Sequence, residues 1–116
     1  MEPDQRASER ADELRRAVDR LVARINHWQP NRWSRPTADD TMSRAECVHG
    51  LAQRLADAAA EAEGRSPRPV PRLTNDLALV DQLRVLAADV LAAGDVRSEV
   101  LADLLARVRA TAAALD

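Results

Sequence analysis

Apolar residues recur near the start of the chain at Ala7, Ala11, Leu14, Val18, Leu21, Ile25 and Trp28. The steps alternate between four and three, the spacing of heptad core positions, and Val22 widens the stripe. The other faces are charged, so residues 4–28 are predicted to form one amphipathic helix. Asp12 sits four residues before Arg16, where a favourable ion pair is expected. This helix is longer than those that follow, and its first turns are expected to overhang and to fray or pack on another subunit.

Pro30 is expected to end that helix, because proline breaks the hydrogen-bond ladder and disfavours helix at the residue before it. A loop then runs to Met42. Ser43-Arg44-Ala45-Glu46 has the form of a capping box, and Met42 and Cys47 stand where a hydrophobic staple would. The second helix, over 43–63, presents Cys47, Val48, Leu51, Ala52, Leu55, Ala58, Ala59 and Ala62, with Gly64 as its stop. From Gly64 to Asn75 three prolines alternate with Arg68, Val70 and Arg72, which favours an extended strap. The third helix, over 75–93, is capped by Thr74 or Asn75, carries Leu79, Val80, Leu83, Leu86, Ala87, Val90 and Leu91 inward, and stops at Gly94. Val85 lies apart from that arc, and an isolated exposed valine needs no explanation. The fourth helix, over 96–115, places Val100, Leu101, Leu104, Leu105, Val108, Ala112 and Leu115 on one stripe, with Asp103 and Arg107 as an outer pair. Gly94 joins it to the third helix as an antiparallel hairpin.

The expected fold is therefore all-α: a four-helix bundle built from two helical pairs joined by an extended Pro/Arg-rich connection. The whole chain, residues 1–116, reads as a single domain. Composition agrees, since there is no Phe or Tyr and the apolar set is mostly Ala, Leu and Val. Such a core needs closely spaced helices. The net charge of −2 lacks the basic footprint of a nucleic-acid binder. Every basic residue is Arg, which we read as a compositional bias. A single cysteine, Cys47, precludes an intrachain disulfide and fits a reducing compartment. There is no apolar signal core, and no run approaches the ~18 residues that span a bilayer. A soluble, cytoplasmic protein without a membrane partner is expected.

Candidate chemistry is sparse. Glu46-Cys47-Val48-His49 has the Glu-x-x-His spacing of di-iron bundles, but such sites need a second copy and further inward glutamates. Glu46 is better explained as a cap and His49 as a flank histidine. His27 falls on the charged side of the first helix without a second ligand. Cys47 sits on an apolar face, as a structural thiol does. The glycines, Gly50, Gly64 and Gly94, form no phosphate loop.

The order Trp33-x-x-Pro36-Thr37, followed by His49-Gly50-Leu51-Ala52, resembles the start of the DinB-like and mycothiol-dependent maleylpyruvate isomerase bundles, which are four-helix, metal-binding proteins. The resemblance spans residues 33–52. That family's site also needs a later His-x-x-x-His, and no histidine follows His49 here, so its metal site is not carried over.

What remains distinctive is the stretch 26–36. Trp28 continues the heptad, whereas Trp33, between Arg32 and Arg35, has no local reason to be there and fits either of two roles, closing the end of the small core or marking a binding surface. Trp and Arg are the types enriched at binding hot spots. Trp33, Arg32 and Arg35, with Arg68 and Arg72 on the strap, are thus the candidate partner-binding residues. The expected function is a non-catalytic protein-interaction or self-associating module, a homodimer, without cofactor or metal. The alternative is a small-molecule or metal-binding bundle with a pocket beneath the Trp28–Pro36 loop, His49 and arginines pointing in.

Overall fold

The computed structural model describes residues 5–116 and shows five helices: α1 Gln5–Ile25, α2 Pro30–Trp33, α3 Arg44–Ala62, α4 Ala78–Ala93 and α5 Ser98–Ala114. No strand occurs among the described residues, only an isolated bridge between Pro36 and Ser43, so the class is all-α. The expected first position of the first helix, Asp4, lies outside the described residues.

The first helix ends three residues sooner than its heptad predicts. The chain turns after Ile25, with the Trp28 amide donating to the Ile25 carbonyl at 3.2 Å. Pro30 does not terminate α1; it opens α2 as its first residue, where the missing N–H costs nothing. Gln29 before it is extended (φ −74°, ψ 155°), as a residue preceding proline prefers. The turn lets Trp28 fold back over the core, where a continued helix would carry it past the end.

The cap of α3 forms as the sequence predicts on one side. The Ser43 hydroxyl accepts from the Glu46 amide at 3.1 Å, and it donates to the Glu46 carboxylate at 3.1 Å. The expected return bond to the Ser43 amide is replaced by this side-chain pair. Met42 is exposed and closes no staple. At the far end Gly64 takes φ 70°, with Arg65 N bonded to Ala60 O at 2.8 Å and Gly64 N to Glu61 O at 3.1 Å, the paired bonds of a Schellman stop. Helix α4 starts at Ala78 because Asn75 is used in a turn, its side chain accepting from Leu77 N at 3.0 Å. Gly94, at φ 77°, ends it.

Helix α1 packs on α4 and α5, and α3 packs on α4, α5 and α2. Helices α4 and α5, expected as a hairpin, do not pack on each other, and neither do α1 and α3. The reason lies in the residues after Gly94, which carry the chain across to α1. There Arg10 Nη1 donates to the Ser98 carbonyl at 3.0 Å and to its hydroxyl at 2.6 Å, so Ser98 anchors α5 to α1. At the other end Arg24 donates to the Ala112 carbonyl at 3.0 Å and pairs with Asp116, so α1 and α5 run in the same direction. The first turns of α1 do not overhang, for Ala7 and Ala11 pack against the core beside Val90 and Leu91.

The core is the expected set of small and branched residues: Leu14, Val18, Ile25, Leu51, Leu55, Leu79, Leu83, Leu104 and Val108. Ala52, Ala58 and Ala59 let the neighbours of α3 approach closely. The predicted outer ion pairs are re-partnered. Asp12 pairs with Arg15 at 3.0 Å, not with Arg16. Asp103 reaches Arg54 on α3 at 2.8 Å, not Arg107. Residues three apart are neighbours on a helix just as residues four apart are, and an adjacent helix offers a third choice.

Residues 65–73 carry no secondary structure and are held to α3 and α4. Gln53 accepts from Val70 N at 2.8 Å and donates to Arg68 O at 3.0 Å. His49 Nε2 donates to Val70 O at 2.9 Å, and Gln82 donates to Pro71 O at 3.0 Å.

Candidate functional site

The end of the molecule that gathers the last turn of α1, helix α2 and the first turn of α3 is built around two indoles. Trp28 and Trp33 meet edge to face, centroids 5.1 Å apart and planes at 68°. Both are buried, and Trp33 has no exposed surface at all. The unexplained tryptophan is therefore core: α2 exists as one turn whose last residue drops its ring over Trp28. Trp33 offers no surface to a partner, and its Nε1 is buried without a hydrogen-bond partner.

Arginines surround the indoles. The guanidinium carbons of Arg32 and Arg44 each lie 5.2 Å from the Trp28 centroid, in cation–π range. Burial first, then the positive charges of Arg32, Arg35 and Arg24, holds the Arg44 guanidinium below its ordinary value. Arg24, Arg32, Arg35 and Arg44 thus form one basic cluster. Two of them, Arg32 and Arg35, come from the sequence reading. Arg24 and Arg44 escaped it, although Arg24 stands one helical turn before Trp28 and Arg44 directly follows the α3 cap. Arg68 and Arg72 are exposed but serve the strap: the Arg68 carbonyl is taken by Gln53, and Arg72 pairs with Asp76 at 2.9 Å.

The cluster continues along α1. Arg16, Arg20 and Arg24 stand one turn apart and, with Arg109 of α5, rim a groove of about 350 Å³. Its floor is apolar: Ala17, Leu21, Val108 and Ala112. Glu13 meets Arg109 at 3.6 Å and Asp116 pairs with Arg24, while Arg16 and Arg20 make no ion pair among the described residues. A chain with net charge −2 thus carries a locally basic groove.

On α4 the expected lone valine has company. Val85 is 59% exposed, and Leu77 at the start of the helix is 47% exposed. With Asp81 and Asp89 they form an outward row at every fourth position, Leu77-Asp81-Val85-Asp89.

The remaining candidates are structural. His49 faces the strap, not a pocket, and His27 bonds Asn26 at 3.0 Å. Burial pushes the Cys47 thiol up, against a hydrogen bond with Thr111 that lowers it, the opposite of a poised nucleophile. No group of three or more His, Cys, Asp or Glu converges among the described residues. Their helices include none long and apolar enough to cross a membrane. Comparison with family models, with curated proteins and with solved structures returns no match.

Proposed function

We propose that the four long helices act as a four-helix bundle whose role is to bind protein, including further copies of itself, without chemistry of its own. In this reading α1 and α5 run one way, α3 and α4 the other, and the Pro/Arg strap is the crossover that makes parallel neighbours of α3 and α4. Its support is the ties of the strap to His49, Gln53 and Gln82, and the matching ends of α1 and α5. The observation that carries the functional reading is the pair of large apolar side chains exposed on the outward α4 row, Leu77 and Val85. Large apolar side chains grouped on a helix face gain roughly 25 cal/mol per Å² when a partner covers them. A cytoplasmic setting fits the single half-buried thiol.

The test is light scattering across a concentration series, with Leu77→Lys/Val85→Lys as the comparison. The native chain is expected to exceed 12.7 kDa on average as concentration rises, and the double variant to remain at that mass. Equal behaviour of the two would remove the α4 row from the interface.

A further inference from the structure

We infer that the arginine-rimmed groove between α1 and α5 receives the α4 row of a second copy of this chain, so that copies associate head to tail. The inference rests on the self-association reading and gives it two named surfaces.

The two faces match in polarity and spacing. The groove has an apolar floor of Ala17, Leu21, Val108 and Ala112; its α1 rim carries Arg16, Arg20 and Arg24, together with Glu13, which is engaged by Arg109. The α4 row alternates apolar and acidic: Leu77, Asp81, Val85, Asp89, all exposed. Arg16 and Arg24 are eight residues apart, as are Asp81 and Asp89, and both separations are ~12 Å along a helix axis. With Val85 on the floor of the groove, the two carboxylates lean to opposite sides of it, about 40° away each around the helix, one toward the α1 arginines and the other toward Arg109 of α5. Arg84 is on the α4 face too, 3.8 Å from Asp81, and Asp89 leaves the row net negative. On the α1 rim Arg16 and Arg20 have no ion-pair partner among the described residues, whereas Arg24 also pairs with Asp116; guanidinium forks suit carboxylates.

The geometry also sets the kind of assembly. Groove and row are different surfaces on different helices, so the contact is heterologous. Each copy in a pair still offers one free groove or one free row, and association continues past two copies as concentration rises. A two-fold dimer would stop at two. Part of the attraction is between exposed charges, so it weakens as salt shortens the Debye length below ~10 Å.

The experiment is a charge exchange read by sedimentation velocity, on full-length chains checked for native helicity by circular dichroism. One variant carries Arg16→Glu and Arg20→Glu; the other carries Asp81→Arg and Asp89→Arg. All four positions are exposed, so folding is expected to be kept. Each variant alone presents like charges on groove and row, and its association is expected to weaken at least ~10-fold. Mixed in equal amounts, the acidified α1 rim of the first meets the basic row of the second, and the unchanged groove of the second meets the unchanged row of the first, so assembly returns. Native association that survives in either variant, or a mixture that stays monomeric, overturns the head-to-tail contact while leaving self-association standing. A native chain that never exceeds 12.7 kDa overturns both.

Discussion

Replacing Trp33 tests whether the indole pair is the closure of the core. Its side chain is wholly buried and lies edge to face with Trp28 at 5.1 Å. Truncating a buried tryptophan to alanine costs ~3–5 kcal/mol, of which the ring–ring contact contributes ~0.5–1.5. Near this chain length each kcal/mol moves the thermal midpoint by roughly 4 °C, so Trp33→Ala is expected to lower it by about 12–20 °C. The indole N–H adds a second, sharper expectation. It is buried without a partner, and leaving such a donor unpaired costs ~1–3 kcal/mol. Trp33→Phe deletes that donor and keeps most of the ring contact, so it should lose less than half of what alanine loses. Thermal melts followed by far-ultraviolet circular dichroism, with urea midpoints at unchanged slope, measure both. A shift below ~4 °C for alanine, or a phenylalanine variant as unstable as the alanine one, would refute the placement of this ring in the core.

Other expectations follow from single contacts. Ser43→Ala removes the α3 cap and should cost ~1 kcal/mol in urea titrations, with Ser43→Asp retaining most of it. The Thr37 hydroxyl, then the hydroxyl and amide of Thr41, hold the Asp39 carboxyl below its ordinary 3.8. A depressed folded value stabilises above the unfolded one, so this contribution is present at neutral pH and is lost as pH falls below 3.8 through the folded value. Asp39→Asn should therefore be less stable than the native chain at pH 7 and indistinguishable from it in strong acid, by melts across pH. Gln53→Ala leaves His49 as the strap's remaining hydrogen bond to α3, and limited trypsin digestion should cut after Arg65 and Arg72 sooner than in the native chain, while the overall melt changes little. Cys47, half-buried with its thiol pushed up, should react with a thiol reagent at pH 7 more slowly than a free cysteine, and unfolding should abolish the difference.

Local chemistry was legible in the sequence wherever a single residue settles it. Ser43 with Glu46, Gly64 and Gly94 mark the ends of helices because their side chains, or the lack of one, act on their own backbone. The apolar stripes were legible because periodicity alone selects the buried face. What could not be read depends on neighbours distant in sequence. Nothing near Trp28 says that the chain turns at Asn26 so that Trp33 can drop onto it. Asp12 and Asp103 chose partners set by helix packing rather than by the four-residue rule. Adjacency predicted an α4–α5 hairpin, whereas the anchor of Ser98 on Arg10 directs α5 to α1. The site shows the same division. Arg32 and Arg35 stood out beside Trp33, yet the groove rim of Arg16 and Arg20 emerges only once α5 lies beside α1.

The proposal that this helical chain works by binding its own kind stands or falls on sedimentation equilibrium of the chain at micromolar concentrations. The weight-average mass is expected to climb with concentration past twice 12.7 kDa and to fall when salt is raised. A single species of 12.7 kDa at every concentration and salt would contradict it.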